Sequence, residues 1–88
     1  MPDYKTNLNK INEILFGTWD PIGISRNENL IDEYAQYAAQ IISSKKWAVG
    51  DVERMLKIIE DDLGMPSPEE RRREAAEKVA LVLRKARL

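Results

Sequence analysis

Trp19-Asp20-Pro21-Ile22-Gly23-Ile24 constrains this chain most, because it interrupts two helical patterns with Pro and Gly while remaining strongly apolar. Proline fixes its own φ and moves the preceding residue out of the right-handed helical region, so Asp20 is expected to end the helix before it. An ordinary connector is polar. Trp19, Ile22 and Ile24 instead offer large apolar surface, which predicts a turn laid onto the core, with a binding loop as the alternative.

The remaining sequence reads as four amphipathic helices over approximately 3–16, 28–44, 51–63 and 68–87, in one domain spanning residues 1–88. At about 100° per residue, Tyr4, Leu8, Ile11 and Leu15 form the first core stripe, and Gly17 is placed as its left-handed stop. The second helix, capped by Asn27 or Asn29, has two apolar stripes, Leu30/Tyr34/Tyr37/Ile41 and Ile31/Ala35/Ala38/Ile42, and is therefore expected to be the central element. Lys45 and Lys46 complement its C-terminal dipole, and Trp47 anchors the connector that follows. Val52, Met55, Leu56, Ile59 and Leu63 line the third helix, with Gly64 as its stop. Ser67-Pro68-Glu69-Glu70 has the spacing of a capping box with proline at the first helical position, and Ala76, Val79, Leu83 and Ala86, flanked by Ala75 and Val82, face inward from the fourth helix. The expected class is all-α, a four-helix domain with an apolar connector between the first two helices.

Composition restricts the chemistry. The chain has 88 residues, 43% hydrophobic and 33% charged, which is enough apolar material for one modest core. It contains no His and no Cys, so the commonest general base, the thiolate nucleophile and thiolate metal sites are all missing. The serines have no histidine partner and suit caps and turns. Asp20, Asp32, Glu33, Glu60, Asp61 and Asp62 show no known metal-ligand spacing. The Glu60-Asp61-Asp62 run opposes the dipole of the third helix, and its expected place is a solvated end facing the basic fourth helix, with a protein contact or a cation site as alternatives. No catalytic, cofactor or metal residue is assigned.

Charge is uneven: residues 1–68 carry seven basic and eleven acidic side chains, and residues 69–88 carry seven and four. Attraction across a helix interface is the expected role of that asymmetry, with a basic tail seeking an acidic partner as the alternative. Arg71, Arg72 and Arg73 alternate with Glu69, Glu70, Glu74 and Glu77, a spacing suited to pairing within the fourth helix rather than to a one-signed nucleic-acid face. Leu81 falls opposite the core stripe of the fourth helix and Ile58 lies off the main stripe of the third, so both are candidates for exposure or for contact with a second chain. Asp20, Asp32, Glu33 and Leu81 form the candidate partner surface. Trp19, Pro21, Ile22, Gly23, Tyr34 and Ser67 are assigned structural roles.

The succession of an amphipathic helix, Trp19-Asp20-Pro21-Ile22-Gly23, Asp32-Glu33-Tyr34, Ile58-Ile59-Glu60 and Leu63-Gly64-Met65 resembles the YugE-like family of small bacterial proteins over roughly residues 8–66. The resemblance implies an all-helical bacterial cytoplasmic protein and supplies no catalytic residues; the Arg-rich fourth helix lies outside it. No secretory signal or membrane span is expected. The resulting expectation is a non-enzymatic protein-interaction module, monomeric or weakly dimeric, with no cofactor and an unidentified protein partner. An inhibitor or immunity-type partner protein, a nucleic-acid binder through the fourth helix, and a carboxylate enzyme are the alternatives.

Overall fold

The computed structural model describes residues 4–20 and 34–86; the side chain of Ala86, expected on the inward face of the fourth helix, lies outside that description. Among them are four α-helices: α1 (Tyr4–Ile14), α2 (Ala35–Ser44), α3 (Val49–Leu63) and α4 (Glu69–Ala86). The all-α, four-helix class is therefore as expected. Pro21, Ile22, Gly23, Ile24, Asn27, Asn29, Leu30, Ile31, Asp32 and Glu33 lie outside the described residues, as does the expected start of the second helix.

Helix α1 continues directly into a π-helical turn, Leu15–Trp19, closed by the Asp20 amide donating to the Leu15 carbonyl at 2.8 Å. Gly17 lies inside this turn and is not the stop. The left-handed residue is Asp20, at φ 38°. Burial explains the departure: Ile11, Leu15 and Trp19 are all fully buried, and the wider turn carries the chain past Gly17 until the indole reaches the core. Asp20 ends the helix as expected. Tyr4 is a second correction, since it is 48% exposed at the outer end of α1, while Asn7 and Asn12 are buried nearer the middle.

The apolar pattern of α2 is largely realised: Tyr34, Ala38, Ile41 and Ile42 are buried, and Ala35 and Tyr37 are half-buried. Its stop is Lys45, left-handed at φ 60°. Trp47 anchors the connector by donating its indole N–H to the Ile41 carbonyl at 3.0 Å and packing against the core. Helix α3 then buries Val52, Leu56 and Ile59 and ends at Gly64, φ 66°, the expected left-handed stop.

Among the described residues α4, not α2, is the hub, packing against α1, α3 and the π turn. Ala75, Ala76 and Ala80 are buried on it beside Val79 and Leu83, and small side chains let neighbouring backbones approach from more than one side. The breadth of apolar surface that suggested a central second helix includes Leu30 and Ile31, which lie outside the described residues. The start of α4 also differs in detail. It begins at Glu69, with the Arg72 amide donating to the Pro68 carbonyl at 3.1 Å, and the Ser67 hydroxyl is directed to Glu60 rather than to its own helix.

Candidate functional site

The Glu60-Asp61-Asp62 run divides into two environments. Asp61 and Asp62 are exposed, and Asp61 pairs with Lys57 one turn back at 3.1 Å. Glu60 is 1% exposed, contrary to the expected solvated helix end. Its position on the helix wheel explains why: it lies about 40° from Leu56, at the edge of the buried stripe.

A buried carboxylate needs donors, and Glu60 has four. Oε2 accepts from the Trp19 indole at 2.8 Å and from the Ser67 hydroxyl; Oε1 accepts from the Ser67 amide at 3.1 Å and from Arg72 Nη1 at 3.0 Å. Burial pushes the carboxyl pKa up. The Ser67 hydroxyl, the Trp19 indole, the Ser67 amide and the Arg72 charge together outweigh that and hold it below the usual carboxylate value. Glu60 is thus ionised at neutral pH. It joins the π turn, the C-terminal part of α3, the α3–α4 connector and the first turn of α4 through one side chain.

Trp19 faces this carboxylate with its N–H and an aromatic cluster with its ring. Its centroid lies 5.6 Å from that of Tyr34 and 6.3 Å from that of Tyr37, the latter edge-on. The next residue repeats the motif, since Tyr34 donates its hydroxyl to Asp20 at 2.8 Å. Two adjacent residues therefore bind the chain on both sides of the 21–33 interval. Asp20 is 8% exposed, which removes it from the candidate partner surface; Asp32 and Glu33 of that surface lie outside the described residues.

The arginines pair across helices. Arg72, its side chain 12% exposed, binds Glu60 and lies 3.7 Å from Glu53 Oε2, while Arg73 Nε lies 3.7 Å from Glu53 Oε1. Among the described residues no ion pair joins two residues of α4, so the expected pairing within that helix is replaced by attraction between α4 and α3. Among the described residues, Arg72 and Arg73 of α4 are thus met by carboxylates of α3 within the domain. Arg72 had a legible signal, for it lies about 20° from Val79 on the wheel and so falls in line with the buried stripe.

Next to this network Gly50, Glu53, Arg54, Lys57 and Arg72 line an open cleft of about 260 Å³. On the outer faces Ile58 is 53% exposed and Leu81 49%, both as expected. Among the described residues no group of three or more acidic side chains is placed to hold a metal ion, and no helix is long and apolar enough to cross a membrane. Comparisons with protein-family models, curated proteins and solved structures gave no match.

Proposed function

We propose that this chain is a non-enzymatic protein-interaction module of a bacterial cytoplasm, with the outer faces of α3 and α4 as its contact surface. The observation that carries this reading is a contrast on those two helices. Their inward ionisable side chains, Glu60 and Arg72, are fixed by each other and by Trp19 and Ser67, while Ile58 and Leu81 on the outside stand half in water. A carboxylate saturated by four donors suits a rigid framework better than proton transfer, which needs a group free to take and give a proton. The engagement of Arg72 and Arg73 by α3 carboxylates leaves α4 a weaker phosphate-binding face than its sequence suggests. The bacterial and cytoplasmic setting rests on the resemblance to YugE-like proteins.

A photo-crosslinking residue placed at Ile58, at Leu81 or at the exposed control position Glu74 tests the proposal in extracts of the source organism. The expected result is a discrete adduct, of one mass, from position 58 or 81 and none from 74. Absence of adducts from both apolar positions, or the same adducts from the control, contradicts it.

A further inference from the structure

The cleft beside the buried network has a chemistry of its own. Three of its five lining residues are cationic: Arg54 and Lys57 from α3, one turn apart on one face, and Arg72 from α4 across from them. Arg54 forms no ion pair with any described residue, and Lys57 is held only by Asp61 in a pair whose side chains are 51% and 64% exposed. Exposed pairs of this kind exchange readily for another anion. Arg72 Nε is buried without a hydrogen-bond partner. Glu53 is the single carboxylate, already positioned by Arg72 and Arg73.

Gly50 makes the remaining wall. It is the second residue of α3, and a Cβ added there would meet nothing within 4 Å. No neighbouring protein atom requires its missing side chain. Its face of α3 continues through Glu53 and Arg54 to Lys57, so it borders the same cleft.

We propose that this cleft binds a small phosphorylated ligand by its phosphate group. Arg54 and Lys57 approach the anion from α3, while Arg72, its guanidinium already held by Glu60 and lying beside Glu53, only adds positive charge to the α4 wall; a tetrahedral phosphate offers acceptors in several directions where a carboxylate offers two oxygens in one plane. Glu53 selects among phosphates by accepting a hydrogen bond from a hydroxyl on the ligand. The volume suits a phosphate with a short hydroxylated stem, and the open mouth keeps affinity modest. This site is independent of the apolar contact surface at Ile58 and Leu81.

The test is a two-dimensional amide NMR titration of the whole chain with inorganic phosphate and with glycerol 3-phosphate, at constant ionic strength, against acetate and chloride. The expected result is a saturable shift of the Gly50, Arg54 and Lys57 amides, half-complete at roughly millimolar ligand, with glycerol 3-phosphate binding more tightly. Saturation by both phosphates with equal affinity removes the role of Glu53 and restricts the site to the phosphate group. The double variant R54Q/K57Q weakens binding at least about tenfold, and R71Q, altered on an exposed face of α4, does not. G50L fills the cleft and abolishes the shifts while circular dichroism shows the fold retained. Equal responses to acetate or chloride, no saturable response to either phosphate, or unchanged binding in folded G50L overturns the proposal.

Discussion

The indole N–H of Trp19 donates to the carboxylate of Glu60 at 2.8 Å, joining residues 41 apart in the chain. It brings the π turn that ends α1 against the last turns of α3, and Ser67 and Arg72 complete the same carboxylate from the far side. Replacing Trp19 by Ala therefore removes a fully buried ring and one of four donors to a buried charge. The expected loss is about 3–5 kcal/mol, against a total of roughly 5–15 kcal/mol for a native domain. Urea unfolding followed by circular dichroism checks it; a loss below about 1 kcal/mol contradicts the buried role of the indole.

Glu60 links this network to pH. Its carboxyl binds protons less readily in the folded chain than in the unfolded one, where the ordinary value is about 4.5. Stability from Glu60 is thus fully present above that unfolded value and is lost as pH falls through the lower folded value. The stability gap between the natural chain and Glu60→Gln is expected to be constant from pH 7 to 5 and to shrink in more acidic solution. A gap that grows on acidification contradicts the direction of the shift.

Ser67→Ala removes the hydroxyl that donates to Glu60. A cost of about 1–2 kcal/mol is expected, because a buried charged acceptor loses a partner. A simple helix cap would give a similar cost of about 1 kcal/mol, so stability alone does not separate the two roles. The Glu60 pKa does: followed by carboxyl carbon NMR, it rises in the variant if the hydroxyl serves the carboxylate and stays in place if the serine only caps α4.

Much of the fold was legible from spacing. The α3 stripe, the stop at Gly64, the inward face of α4 and the exposure of Ile58 and Leu81 all follow from a period of about 3.6 residues with its end signals. The polar interior was not, because rules that assign charge to the surface have no term for a carboxylate whose donors come from residues 19, 67 and 72. The helix wheel did place Glu60 and Arg72 beside apolar stripes, and that was the usable signal. Gly17 misled for a related reason: its local preference yielded to the burial of Trp19 two residues later.

Gly17 supplies a test of that last point. It lies in the π turn, its φ is not positive, and a Cβ there meets no atom within 4 Å. Gly17→Ala is expected to stabilise the chain by about 0.4–1 kcal/mol by restricting the unfolded state. A destabilised variant in thermal melts would restore Gly17 as a left-handed stop.

Leu81 is 49% exposed on α4, so Leu81→Lys is expected to change stability by less than about 0.5 kcal/mol. Sedimentation over a concentration series is expected to give the same mass for both forms. Loss of a larger species in the variant alone would place Leu81 in a contact between two copies of the chain.

Trp19 and Glu60 act as one unit closing the fold, and a double-mutant cycle with Trp19→Phe and Glu60→Gln measures their coupling most directly. Both substitutions retain most of the side-chain volume; Trp19→Phe removes the indole donor, and Glu60→Gln removes the charge of its acceptor, leaving a weaker amide oxygen. Urea unfolding of the four proteins is expected to show a coupling of about 0.5–3 kcal/mol between the two positions. Additivity within about 0.3 kcal/mol would contradict the account, leaving Trp19 as an apolar filler and Glu60 as a charge held by Ser67 and Arg72 alone.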